Sequence, residues 1–183
     1  MTHREMTEIF AVLLLAYPNA EIFKGGIKKL APTINLWVTC LPDVDFWTGQ
    51  QAVVKLCREC KFPPTIAEFK AKADEVKAEI RQKVSSAWGM LRLPLDLGDT
   101  PEMVYAKAPD SVRAAIDSMG GPDKLITTEV HTFGDGHTET VEVYNHKGFA
   151  QAYEILLRGE NALTGGTQDA HAIAPPRKQL GGK

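Results

Sequence analysis

Lys61-Phe62-Pro63-Pro64-Thr65-Ile66-Ala67-Glu68-Phe69 is the stretch on which the reading of the fold turns. Two consecutive prolines push Phe62 out of the helical region, fix their own φ and withhold two backbone donors, so a helix arriving from the N-terminal side stops here. Thr65 opens the next one. Its hydroxyl can accept from the amide three residues on while Glu68 reaches back to the Thr65 amide, a reciprocal capping box that covers two of four orphan donors. The nonapeptide reads as stop, turn and start. Its expected work is to set the angle at which the next helix leaves, without touching a partner itself.

Beyond the corner, Ile66, Phe69, Ala73, Val76, Ile80, Val84, Ala87 and Leu91 alternate spacings of three and four. This heptad-like stripe is far longer than the mean globular helix of about 11–12 residues, and lysines and carboxylates fill the other faces. Such a helix needs a partner: it can carry a second unit on its far end, or pair in a homodimer. Mixed-sign charges at helical spacing do not choose between the two. Pro94 is expected to end the helix, and Leu95–Asp99 reads as a linker.

Upstream, residues 2–17 form an amphipathic helix through Met6, Ile9, Phe10, Leu13, Leu14 and Tyr17, opened by Thr2-x-x-Glu5 and stopped by Pro18. Residues 19–32, with Gly25-Gly26 and Lys24, Lys28 and Lys29, read as a loop or a short helix with a solvated rim. A second helix starts at Thr33 and ends at Pro42. A third, capped by Asp43 or Asp45, presents Phe46, Val53 and Cys57 on one face. Trp37 and Trp47 are expected to anchor the core.

Downstream, Thr100-Pro101-Glu102 opens a short helix to about Ala106. Asp110 is expected to cap a helix over Ser111–Met119 that stops at Gly120-Gly121-Pro122. From Leu125 the period changes to two, and Gly134-Asp135-Gly136 turns the chain, predicting a β-hairpin over 125–144. A last helix spans Lys147–Arg158. From Gly159 the glycine and proline pairs and sparse apolar residues predict a flexible tail. The fold class is mainly α: a four-helix bundle-like N-terminal domain over 1–93 with a long fourth helix, a smaller α+β unit over 94–158 and a tail over 159–183.

The 183 residues carry 21 Lys plus Arg against 23 Asp plus Glu, and the pI near 6.2 lacks the footprint of a protein built to grip phosphates. The apolar run Phe10–Ala16 is too short to span a bilayer, so a cytoplasmic protein is expected. Cys57-x-x-Cys60 has half a zinc site's spacing, yet Cys40 is the only other thiol; core packing suits these residues better. His131, His137 and His146 lie in or beside the hairpin without a metal-ligand spacing and read as exposed residues. Phosphate loops, dinucleotide fingerprints, nucleophile elbows and zinc helices are all missing from the sequence. Neither catalytic, cofactor nor metal residues are expected.

Four segments occur in order: Ala16-Tyr17-Pro18-Asn19 closing the first helix, Leu36-Trp37-Val38-Thr39-Cys40-Leu41-Pro42-Asp43, Gln51-Ala52-Val53, and Lys61-Phe62-Pro63-Pro64-Thr65-Ile66-Ala67-Glu68. Together they resemble the phage family of replicative-helicase loaders and inhibitors, over residues 1–80. The resemblance implies a non-enzymatic replication accessory protein with two partners, the hexameric replicative helicase and an origin-binding initiator. It places the initiator contact on the N-terminal domain and the helicase contact toward a flexible C-terminal region, where Arg177 and Lys178 are the candidate partner-binding residues. Direct nucleic-acid binding is expected to be weak or absent, with no membrane association. The alternatives are a DNA-binding replisome organiser using Lys24, Lys28, Lys29 and the lysines of 70–83, and a structural homodimer paired through the 65–91 stripe.

Overall fold

The computed structural model describes residues 1–164 and divides the chain into two compact units, Met1–Lys83 and Val84–Lys183. In the first unit, α1 (His3–Ala16) begins at the expected capping box: Thr2 Oγ1 accepts from the Glu5 amide at 3.3 Å, and Glu5 accepts from the Thr2 amide at 2.7 Å. Two single 3₁₀ turns, Glu21–Phe23 and Ile27–Leu30, resolve the 19–32 segment and lead into α2 (Ala31–Cys40). Asp45, rather than Asp43, caps α3 (Phe46–Glu59), taking the Thr48 amide at 3.0 Å and the Thr48 hydroxyl at 2.7 Å. That pairing satisfies the buried Thr48.

The core of this unit gathers Met6, Ile9, Phe10 and Leu13 of α1, Ile34 and Trp37 of α2, Val53 and Leu56 of α3, and Phe69 and Ala73 of α4 (Ile66–Asp96). Its centre is aromatic. The Trp37 ring lies 5.0 Å from Phe10 and 5.3 Å from Phe69, both edge-to-face, arrangements worth about 0.5–1.5 kcal/mol each beyond burial. Trp47, in contrast, is only half-buried. Outside the core, Lys55 of α3 pairs with Glu75 and Glu79, Lys72 pairs with Glu59 of α3, and Lys70 and Lys77 converge on Asp43. Exposed pairs contribute less than about 1 kcal/mol each, so these orient α4 more than they hold it.

Pro94 does not end α4, which runs two residues further. Pro94 withholds its own donor from the Met90 carbonyl and crowds it, yet the next turn closes, with the Leu97 amide donating to the Leu93 and Pro94 carbonyls. The stop is Gly98, at φ +95°: its amide donates to Leu95 and the Asp99 amide to Pro94, the paired bonds of a Schellman motif. Leu95, expected in a linker, is therefore buried in a core. From Phe69 to Leu91 every apolar position of the stripe is buried within the chain, so the stripe is not free to face a second copy.

The second unit's core combines Ala87, Trp88, Leu91 and Leu95 of α4 with Val104 of α5 (Pro101–Lys107), Val112, Ala115 and Ile116 of α6 (Asp110–Ser118), Leu125, and Phe149 of α7 (His146–Thr164). The division between units falls inside α4, after Lys83 rather than after residue 93, because the last turns of the helix carry their own apolar cluster. Asp110 does not cap α6; it is the first helical residue and pairs with Arg113. The helix ends at Gly120-Gly121 as expected.

The hairpin forms in the predicted place. β1 (Ile126–Thr132) pairs antiparallel with β2 (Thr138–Tyr144) from Ile126 opposite Tyr144 to Thr132 opposite Thr138. The Gly136 amide donates to Phe133, the Phe133 amide to His137, and Gly136 sits at φ +84°, a three-residue loop that demands glycine at its last position. Asn145 then joins hairpin to helix, accepting from the Gly148 amide at 3.0 Å and donating to the Lys124 carbonyl at 3.0 Å. Helix α7 continues through Gly159 to Thr164 rather than stopping at Arg158; a glycine weakens a helix interior by about 1 kcal/mol without ending it. Residues 165–183, most of the expected tail, lie outside the described residues.

Candidate functional site

Two proline-bearing turns meet on the first unit. Tyr17 closes α1, its amide donating to Leu13, and Pro18 diverts the chain through Asn19 to Ile22. Opposite, Lys61-Phe62-Pro63-Pro64 leaves α3 and enters α4 at Thr65. Here the capping box is complete: Glu68 accepts from the Thr65 amide at 2.7 Å and hydroxyl at 2.8 Å, and Thr65 Oγ1 accepts from the Glu68 amide at 3.3 Å. These bonds favour the carboxylate and hold Glu68 below its usual pKa.

Between the turns lies a groove of about 870 Å³ lined by residues 16–22, Trp37 and residues 61–66. Trp37, Tyr17 and Pro64 are its buried members. The rim is apolar and open: Phe62 is 71% exposed and Ile22 50% exposed. Lys61 places its ammonium 5.8 Å from the Phe62 ring centre, within reach of a cation–π contact, and Glu21 pairs with Lys24 nearby. A proline-walled, aromatic-edged concavity of this kind has the shape and polarity to accommodate an apolar side chain.

Tyr17 sets the depth of the groove. Its hydroxyl donates to the Cys60 carbonyl at 3.0 Å, satisfying an orphan acceptor beyond α3. Burial, reinforced by the neighbouring thiols of Cys57 and Cys60, pushes the phenol above its usual pKa. Burial likewise raises the Cys57 thiol, and both cysteines pack against the first core.

Arg177 and Lys178 lie outside the described residues. Among the described residues, no group of three or more His, Cys, Asp or Glu side chains could hold a metal, and no helix is long and apolar enough to cross a membrane. His131 lies 3.7 Å from Glu129, His137 lies 3.4 Å from Glu139, and His146 packs 5.1 Å from the Trp88 ring. Sequence reading assigns the 61–69 corner a structural role and treats 16–19 as a helix end. That the two face one another across a groove is a feature the sequence reading misses. The signal that could have found it is that both are proline-stopped helix ends.

All four motif segments have places in this unit. The first and last wall the groove, Leu36–Asp43 supplies Trp37 and Leu41 to the core, and Ala52 and Val53 face that core from α3. No curated protein and no solved structure matches the chain. Residues 1–70 do match a family model, that of the N-terminal domain of the phage helicase loader/inhibitor proteins. The likeness to that N-terminal domain covers the first 70 of the 183 residues.

Proposed function

We propose that this protein is a non-catalytic phage replication accessory protein that binds the replicative hexameric helicase and loads or restrains it at an initiator-bound origin, in the host bacterial cytoplasm. The observation that carries the reading is the family match over residues 1–70, whose motif residues build the groove. On this reading the groove takes an apolar segment of the initiator, with Phe62 as the exposed anchor. The helicase contact belongs to the C-terminal region that includes Arg177 and Lys178.

The alternative of a DNA-binding organiser is less well supported. Lys70, Lys72 and Lys77 already pair with Asp43, Asp74, Glu59 and Glu75, so fewer free charges remain for phosphates. The test is comigration of the purified chain with its cognate helicase on size exclusion, with the helicase ATPase followed in parallel. Comigration with altered ATPase supports the proposal. Neither effect, together with a salt-steep mobility shift on DNA, would overturn it in favour of the organiser.

A further inference from the structure

The β-hairpin of the second unit presents an edge whose charge pattern fits a second copy of itself. Among the described residues its sheet has two strands, and all of β1 beyond Ile126 is exposed. A two-stranded ribbon is marginal alone in water; three or more strands, or a covering element, are the usual requirement. Natural edge strands are commonly blunted by lysine, proline or a bulge. Neither β1 (Ile-Thr-Thr-Glu-Val-His-Thr) nor β2 (Thr-Glu-Thr-Val-Glu-Val-Tyr) contains lysine or proline, and their seven pairs run without a bulge.

The hydrogen-bond phase identifies the free groups. The Phe133 amide donates to the His137 carbonyl at 2.8 Å, so that pair faces inward. Alternation then turns 127, 129 and 131 toward β2, leaving the N–H and C=O groups of Thr128, Val130 and Thr132 at the open edge of β1. A two-fold partner can dock only where outward groups meet outward groups.

We propose that β1 pairs antiparallel with β1 of a second copy, centred on Val130, to make a continuous four-stranded sheet. In this register Val130, 67% exposed in the single chain, meets its own copy. Thr128 stands opposite Thr132 in hydrogen-bonded pairs. Glu129 stands opposite His131 twice, in the non-hydrogen-bonded pairs where side chains approach most closely. His131 already has Glu129 beside it and Glu139 across from it on β2; the second copy's Glu129 arrives on its free side. Moving the register by two residues sets Glu129 against Glu129 or His131 against His131, and moving it by one turns every side chain to the wrong face. The β2 edge offers no such match, since it carries Glu139 and Glu142 and no basic residue.

The test is sedimentation equilibrium of the full chain over a wide concentration range. The expected mass rises to twice the 20.1 kDa of one chain. Val130→Pro removes an outward donor that the hairpin itself does not use, and is expected to give a monomer whose Phe133 amide remains protected. His131→Glu is expected to weaken association by about tenfold or more, because two attractive pairs become repulsive. The exchange Glu129→His with His131→Glu is expected to restore it. A wild-type chain that stays monomeric throughout, a dimer indifferent to Val130→Pro, or an exchange variant no better than His131→Glu would overturn the proposal.

Discussion

The Tyr17 hydroxyl donates to the Cys60 carbonyl at 3.0 Å and lies 3.4 Å from the Leu56 carbonyl, tying the end of α1 to the last turn of α3. Tyr17→Phe keeps the ring and removes only the bond, so unfolding free energy from denaturant titration is expected to fall by about 1 kcal/mol. The alkaline limb carries a second signature. The folded phenol holds its proton above the usual value near 10.0, so its contribution is complete below that pH and is lost as pH rises through the folded value. Titrations between neutral and strongly alkaline pH are expected to show a smaller alkaline loss for Tyr17→Phe than for wild type.

Substitutions at Phe62 and at the prolines beside it are expected to separate the proposed binding from folding. Phe62 is mostly exposed, so Phe62→Ala is expected to leave stability within about 0.5 kcal/mol while weakening the proposed capture of an initiator segment. Pro63→Ala with Pro64→Ala is expected to destabilise by about 1–2 kcal/mol, through a freer unfolded chain and a looser corner. Thermal melts paired with binding measured well below the transition distinguish them. An unchanged melt with lost binding in the proline variant would show that the prolines themselves contact the partner.

The Thr65–Glu68 box opens α4, and Thr65→Ala is expected to lower stability by about 1 kcal/mol. Because Glu68 lies below its usual value of 4.5 in the folded chain, its share is present above that pH and lost as pH falls through the folded value. Acid titration of wild type against Glu68→Gln is expected to converge at low pH. Curves that stay parallel would mean that the carboxylate's charge plays no part in the cap.

Phe149 is fully buried between Trp88, 5.5 Å away, and Tyr153, stacked at 5.6 Å. Phe149→Ala is expected to destabilise the second unit by about 3–5 kcal/mol. Hydrogen exchange should show lost protection in α6 and α7 with the amides of α1–α3 still protected, since the first core draws on none of these residues. Loss of protection throughout would make the two cores one cooperative unit.

Helix starts are legible wherever a side chain caps its own backbone, as at Thr2, Asp45, Thr65 and Thr100. Such bonds span three residues and need no tertiary partner. Helix ends are less so. Pro94 reads as a stop in isolation, yet burial of Leu95 draws the helix past it to Gly98. The division of α4 between two units is hidden for the same reason: an unbroken three-four stripe shows that a helix is buried, not that its two ends enter different cores.

By itself the sequence determined the element types, the Phe-Pro-Pro corner, the hairpin turn and the motif order that marks residues 1–70. Each rests on local chemistry, a missing donor, a φ > 0 glycine or a cap. Only the tertiary structure decided that Tyr17 and Cys60 are bonded, and that Pro18 and Pro63-Pro64 wall one groove. Those residues are more than forty positions apart in sequence, and packing around Phe10, Trp37 and Phe69 is what brings the two turns face to face.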